Sequence, residues 1–444
     1  MKLEDYLKRD AVLYPQKSAV ICEGTVLNYE ELYKRVRKKA EELKTATYKR
    51  GQVVPFRSSQ TIDFLITYFG LHLAGLVAAP LEKDMPESTF KILSKQLSSY
   101  VVPAESADIL YTTGTTGLSK GTIISHRTII ADAENLIEGQ GFSHDLAFVV
   151  NGPLNHIGSL SKIFPVIVLG ATLIITDGIK DADVFFDAFK LPFKKFATFL
   201  VPASIRILLL FSSERLSAIS DKMDFIETGA AAISHDDMIK LCKLFPNSRL
   251  YNTYASTETG IISTYNFNDG KCMSGCLGKP MKHSQIIITE NGLISCKGKT
   301  IMTGYIGDTE RTNRILRDGT IYTSDMGVLD KDGMLHLIGR EDDVINVGGF
   351  KVSPTEVEDS AMAFPSVCDC ICISVPHPIT GFALKLLVVI QSGAEFSKRY
   401  LAQFLKTKLE PYKIPMLYEQ VDTIKRTYNG KLDRKYYKQL SEKK

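Results

Sequence analysis

Apolar residues recur at three- and four-residue spacings through 30–45 (EELYKRVRKKAEELKT) and again through 60–77, which predicts two amphipathic helices. LVAAP at 76–80 and DILYTT at 108–113 read as short buried strands. Between 145 and 250 the apolar runs LAFVV, ATLII and ATFLV alternate with helical patterns, the mark of a parallel sheet covered by helices. From about 250 the texture changes. NG and DG turns separate short alternating runs in GKPMKHSQIIITENGLISCKG and RDGTIYTSDMGVLDKDGMLHLIG, which predicts antiparallel strands. Beyond Arg340 the order is helix (SPTEVEDSAMAF), strand (CDCICISV), strand (ALKLLVVI) and helix (SKRYLAQFLKTKL). The expected fold is α/β. A large multi-layer N-terminal domain, α/β sheets plus a β-rich subdomain, covers 1–340, and a small α+β C-terminal domain covers 341–444.

Composition narrows the class without naming a reaction. Fifty-four Lys and Arg against fifty Asp and Glu give +4 over 444 residues, too balanced for a dedicated nucleic-acid binder. The longest nearly unbroken apolar stretch, Ile163 to Ile175, is too short to span a bilayer. MKLEDYLKRD shows no apolar core of a secretory signal, so a cytoplasmic protein is expected. The eight cysteines lack the paired spacing of a zinc motif and read as reduced core thiols. In CDCIC, alternation would set Cys368, Cys370 and Cys372 on one strand face.

The most unusual local sequence is YTTGTTGLSKG, Tyr111 to Gly121. Glycines let successive backbone N–H groups turn toward one anion, and hydroxyls and a lysine add donors and charge. This suits a polyphosphate, although a plain Gly/Thr turn between strands has the same composition. It is not a Walker A loop, because Ser119 and Gly121 stand where that pattern needs Gly and Ser/Thr. A strand precedes it, and Ser125 is placed to cap a helix beginning at His126.

This loop resembles the signature [Y/F]-[ST]-[ST]-G-[ST]-T-G-x-P-K-G of the AMP-forming adenylating enzymes, with Ser119 in place of Pro. That family includes acyl- and aryl-CoA synthetases, adenylation domains of nonribosomal peptide synthetases, and luciferases. The resemblance continues in order through NTYASTETG (252–260), GYIGDTERTNRILRDGTIYTSDMG (304–327), GREDDVINVGGFKVSPTEVE (339–358) and NGKLDR (429–434). It covers essentially the whole chain and implies activation of a carboxylic acid by ATP and Mg²⁺ to an acyl-adenylate. Transfer to the thiol of coenzyme A follows, or to the phosphopantetheine of an acyl carrier protein.

The resemblance also implies roles. Thr112, Thr113, Gly114, Thr115, Thr116, Gly117 and Lys120 would cradle the β- and γ-phosphates. Asn252 would meet the adenine amino edge and Tyr254 would stack on the ring. Thr257 would bond the α-phosphate, and Glu258 would hold Mg²⁺. Gly229, Ala230 and Ala231, in TGAAAIS, would form the adenine and acyl wall. Asp325 would take the ribose hydroxyls with help from Arg340. Lys431 would be the catalytic lysine on the small domain, which must rotate about Asp342 for the second half-reaction. Gly348 and Gly349 would then line the pantetheine tunnel.

GPLNHIGSL resembles the acyl-CoA synthetase segment, making His156 an acyl-pocket residue beside Ala255, which replaces the usual Gly. The Asp that pairs with an amino-acid ammonium in peptide synthetases is not seen, which favours a simple carboxylic acid. Asp433 in NGKLDR is closer to the peptide synthetase motif and keeps carrier loading open. Ser324 and Asn346 also depart from the family's usual Gly and Lys. The chain is short for the family, and the shortfall falls between Leu97 and Tyr111. The trimmed wall near 98–107 is expected to alter acyl access or to offer a partner surface.

Overall fold

A computed structural model describes residues 1–112, 120–179, 181–426 and 432–442, with Thr112, Ser441 and Glu442 described by their backbone alone. The strands Ser18–Cys22, Thr172–Ile175, Leu146–Val150, Lys195–Phe199, Met223–Gly229 and Arg249–Ser256 lie side by side and all parallel. The sheet then reverses. Arg249–Ser256 turns back into Gly260–Asn266, and antiparallel strands follow through Cys276–Pro280, Leu335–Arg340, Thr320–Leu329, Leu293–Gly298 and Ser284–Ile288. The two textures of the sequence are therefore one hydrogen-bonded sheet of fourteen strands.

A second sheet of five strands holds Val53–Arg57, Val77–Leu81, Ser106–Thr112, Lys120–Ser125 and Gly304–Tyr305. Ser106–Thr112 pairs antiparallel with Lys120–Ser125, with Thr112 opposite Lys120. The glycine-threonine segment therefore joins two arms of a hairpin instead of leading straight into a helix. Ser125 does cap the helix His126–Gln140, accepting from Thr128 N–H at 3.1 Å. That helix end lies roughly 17 Å from Lys120, at 3.3 Å per strand residue along Lys120–Ser125. In the region 98–107, Val53 N–H donates to Tyr100 O and Val102 N–H donates to Gly51 O, at 3.1 and 3.0 Å. The shortened connection is thus laced into the edge of the five-stranded sheet.

The helix His126–Gln140 carries buried polar residues onto the place where the large sheet reverses. Asp132 Oδ1 accepts from Ile261 N–H at 2.8 Å. Asn135 donates to Ile261 O at 2.9 Å and accepts from His283 N–H at 2.8 Å. Gln140 donates to Thr253 Oγ1 at 3.0 Å. Burial pushes the Asp132 carboxyl well above its ordinary range, which the Ile261 N–H and the Lys162 charge only partly offset.

Residues 345–437 supply separate hydrophobic clusters. The strands Val367–His377, Gly381–Ile390 and Leu417–Gln420 form a sheet packed by the helices Pro354–Met362 and Lys398–Lys406 on one face and Arg434–Glu442 on the other. Cys370 and Cys372 point inward as expected, but Cys368 is exposed. A register shift between Val367 and Asp369 explains the difference, because an extra residue breaks the two-residue alternation.

Lys162 and Glu227 form an ion pair at 2.7 Å with side-chain exposures of 1% and 0%. Removing one partner strands the other charge. Lys162→Met is expected to lower stability by about 3–5 kcal/mol, with most of the loss recovered by adding Glu227→Leu. The midpoint of urea unfolding checks both, and an additive double loss would count against the pair acting as a unit.

Candidate active site

Strand register sets the first constellation. Thr320–Leu329 and Leu335–Arg340 pair so that Asp325 faces Arg340, with Oδ1 3.5 Å from Nε. Tyr254, from the strand Arg249–Ser256, donates its hydroxyl to Asp325 Oδ2 at 2.7 Å. Thr323 Oγ1 accepts from Asp325 N–H and donates to Ile294 O, at 3.1 and 2.7 Å, which fixes the backbone before the carboxylate. Burial pushes the Tyr254 phenol well above its ordinary value and the Asp325 charge adds to this, so the hydroxyl stays a donor. Tyr254 is buried in one cluster with Ile262, Leu277, Ile294 and Leu335, and it presents its hydroxyl to the carboxylate. Asn252, two residues earlier, is buried and donates to Cys276 O at 3.0 Å.

The second constellation grows from the turn after Ser256. Ser256 and Thr259 exchange side-chain and backbone hydrogen bonds at 3.1 Å, closing a tight turn that carries Thr257 and Glu258, both half-buried. Gly260 ends it at φ +68°, and a Cβ there would meet Thr300 O at 2.5 Å and Asp132 Oδ1 at 2.7 Å. Only glycine fits. Glu258 Oε1 accepts from Tyr305 Oη at 2.8 Å, and Lys120 Nζ stands 5.4 Å from the centre of the same ring. Tyr305 therefore links the hairpin that holds Lys120 to Glu258. Sequence reasoning quoted Tyr305 within GYIGDTER and gave it no role; its only signal was that motif.

Gly229 ends the strand Met223–Gly229, and a Cβ there would come within 2.8 Å of Thr253 O. Ala230 follows at φ +66°, a left-handed conformation that costs a non-glycine residue about 1 kcal/mol or more. Ala230 and Ala231 are exposed, and Ala255 packs partly buried on the main core. Phe199 lies 3.8 Å from a Cβ built on Gly229 and 3.3 Å from one built on Gly158. The TGAAAIS and GPLNHIGSL segments thus meet at Phe199, which sequence reasoning missed because an apolar strand residue carries no separate mark. His156 starts the helix Ile157–Leu169, with Nε2 3.1 Å from Glu82 Oε1. His156 and Asn155 hold the Glu82 carboxyl below its ordinary value despite partial burial.

Asp342 is exposed at the tip of a turn in which Asp343 and Val344 N–H both donate to Arg340 O, at 2.9 and 3.0 Å. Its carbonyl accepts from Lys438 Nζ on the last helix. Gly348 and Gly349 form the turn of the hairpin Ile345–Val347 and Phe350–Val352, at φ +59° and +94°. Thr113, Gly114, Thr115, Thr116, Gly117 and Lys431 lie outside the described residues, as does the side chain of Thr112. Next to Lys431, Leu432 bridges antiparallel to Arg426. Arg434 clasps both oxygens of the buried Glu358 at 2.8 and 2.6 Å. Asp433 accepts from Tyr436 N–H at 3.1 Å, the bond of a helix N-cap.

The family model described as AMP-binding enzyme matches residues 7–106 and 92–306, and the model for the AMP-binding enzyme C-terminal domain matches 356–431. A feruloyl-CoA synthase from Amycolatopsis sp is 25% identical, over 96% of this chain and 96% of its own length. A 2-succinylbenzoate–CoA ligase from Bacillus cereus is 24% identical, over 99% of each. The crystal structure of ATP-bound MatB from Rhodopseudomonas palustris shares the fold, with a TM-score of 0.86 at 23% identity, over 99% of this chain and 100% of that one. The order of motifs, the fold and these family matches across most of the sequence agree: the chain belongs to the AMP-forming adenylating enzymes.

Proposed function

We propose that this adenylating enzyme joins a small carboxylic acid to the thiol of coenzyme A, with ATP cleaved to AMP and pyrophosphate. One observation carries the reading. Two carboxylates, Asp325 and Glu258, each have one oxygen fixed by a tyrosine hydroxyl, from Tyr254 and Tyr305, with Arg340 beside Asp325 and Lys120 over the Tyr305 ring. A nucleotide triphosphate needs this mixture: an acceptor for sugar hydroxyls, an oxygen ligand for a hard cation, and positive charge for phosphates.

In the first half-reaction a substrate carboxylate oxygen attacks the α-phosphorus, and the bond to pyrophosphate breaks. Asp325 accepts the ribose hydroxyls beside Arg340. The close backbone approach at Gly229 and Ala230, with Asn252, forms the base-binding edge. Thr257 bonds the α-phosphate, and Lys120 with the loop 112–117 holds the β- and γ-phosphates. Glu258 would hold a Mg²⁺, since Tyr305 fixes one of its oxygens and leaves the other to ligate, and the bound ion would offset charge on the phosphates. Lys431 supplies the charge that lets two anions meet. In the second half-reaction the thiol sulfur bonds to the acyl carbon, the bond to AMP breaks and the thiol loses its proton. The segment 341–444 acts as a cap that turns at Asp342, bringing Gly348 and Gly349 to the pantetheine arm. Its separate hydrophobic core supports this division from residues 1–340.

Phe199 joins His156, Ala231 and Ala255 in the acyl wall, because it stands between Gly158 and Gly229. Coenzyme A is the preferred acceptor. The Asp433 that suggested carrier loading is accounted for as a helix cap, and the relatives above are named as coenzyme A synthase and ligase. A carrier protein's phosphopantetheine offers the same thiol and serves as the competing arm of the test. Eight free thiols fit a reducing cytoplasm. Among the described residues no helix is long and apolar enough to cross a membrane.

The founding test is pyrophosphate exchange across a panel of carboxylic acids, followed by thioester assays with coenzyme A and with a holo carrier protein. Exchange with no acid, or transfer to the carrier alone, would overturn the proposal. Lys431→Ala is expected to abolish exchange while a supplied acyl-adenylate still reaches the thiol; equal loss of both steps would reject its role. Asp342→Pro fixes φ near −65° and should preserve exchange while blocking thioester formation. Phe199→Ala should change KM for the acid at least tenfold and leave KM for ATP within twofold; the reverse pattern removes Phe199 from the acyl wall.

A further inference from the structure

Away from this site, three helices distant in sequence bring ligating side chains together. Glu4 lies on Leu3–Leu13, His72 on Ile62–Leu73, and His126 opens His126–Gln140. One ligand atom from each falls within 4.8 Å of the other two. The three residues are 4%, 2% and 8% exposed. Glu4 Oε2, His72 Nδ1 and His126 Nδ1 all lack a hydrogen-bond partner among the described residues. His126 Nδ1 and Glu4 Oε2 are 3.9 Å apart, while Glu4 Oε1 faces Lys2 Nζ at 3.9 Å. Unpaired buried polar atoms are rare and call for an explanation.

His72 supplies a second, independent sign. Its Nε2 is taken by Asp108 Oδ1 at 2.9 Å and Ala107 O at 3.1 Å, and Tyr68 donates to Asp108 Oδ2 at 2.9 Å. Only Nδ1 is left to offer. A carboxylate on the far nitrogen of an imidazole is the arrangement that orients a metal-bound histidine and raises its basicity.

We propose that Glu4, His72 and His126 form a structural site for a divalent transition-metal ion of the zinc class, clamping three helices of the N-terminal region. Two imidazole nitrogens and one carboxylate oxygen suit zinc, whereas Mg²⁺ and Ca²⁺ prefer oxygen throughout. Tetrahedral zinc sets its ligand atoms about 3.4 Å apart, close to the 3.9 Å between His126 and Glu4. A surface cavity of about 490 Å³ lies against Glu4 and His72, lined also by Lys2, Asp5 and Arg50. The site shares no residue with the proposed reaction and stands independently of it.

The test uses the full chain, loaded with ZnCl₂ or CoCl₂ and freed of excess by gel filtration. Elemental analysis should find one more zinc per chain in the parent protein than in Glu4→Gln or His126→Gln. The cobalt form should show the intense visible bands of a four-coordinate, imidazole-ligated ion, which zinc abolishes. Chelation should lower Tm in the parent and not in the variants. Equal zinc content in parent and variants, or a cobalt spectrum of the hydrated ion alone, would overturn the site. Should His126→Gln fail to fold, the near-isosteric Glu4→Gln and the parent's cobalt spectrum still decide the matter.

Discussion

The candidate site depends on how one helix holds the sheet where strand direction changes. Asp132, Asn135 and Gln140 are buried on His126–Gln140, and each sets at least one polar atom on the strands around the turn at 257–259. Burying such groups costs several kcal/mol unless they are bonded. A slip of that hairpin by one residue would break all three connections at once. Register is therefore set by polar satisfaction as well as by hydrophobic alternation, and Thr257 and Glu258 inherit the precision. Gly260 makes the constraint two-sided, because the helix and the turn approach too closely for a side chain between them.

Local structure was readable to the extent that it follows from nearby residues. Ser125 caps the helix it was expected to cap, and the pattern at 30–45 folds as the helix Tyr29–Thr45. The parallel and antiparallel textures were also visible in the spacing of apolar runs and turns. Their fusion into one sheet was not, because strand neighbours far apart in sequence leave no local trace. The glycine-threonine segment's place in a hairpin and the bulge that turns Cys368 outward are hidden for another reason: both join strands adjacent in sequence, but alternation of residue types does not state pairing or register.

The site divides along the same line. Residues inside ordered motifs could be proposed from sequence, and the structure brings several together: Asp325 with Arg340 and Tyr254, and Glu258 with the lysine of the hairpin through Tyr305. Phe199 could not be found this way, since its meaning lies in two glycines that face it from other segments. Arg434 and Glu358 belong to two motifs seventy-six residues apart, and nothing in either predicts their clasp. Net charge of +4 is equally uninformative, because the charges that matter are set singly against particular carboxylates.

The bulge in Val367–His377 has a practical corollary. Of the eight cysteines, Cys368 is the exposed one, and it rides on the small sheet. A thiol-reactive fluorophore would attach there first, without engineering. Paired with a second dye on the large sheet, it makes the chain its own distance ruler, able to report the orientation of the small unit in single molecules during turnover.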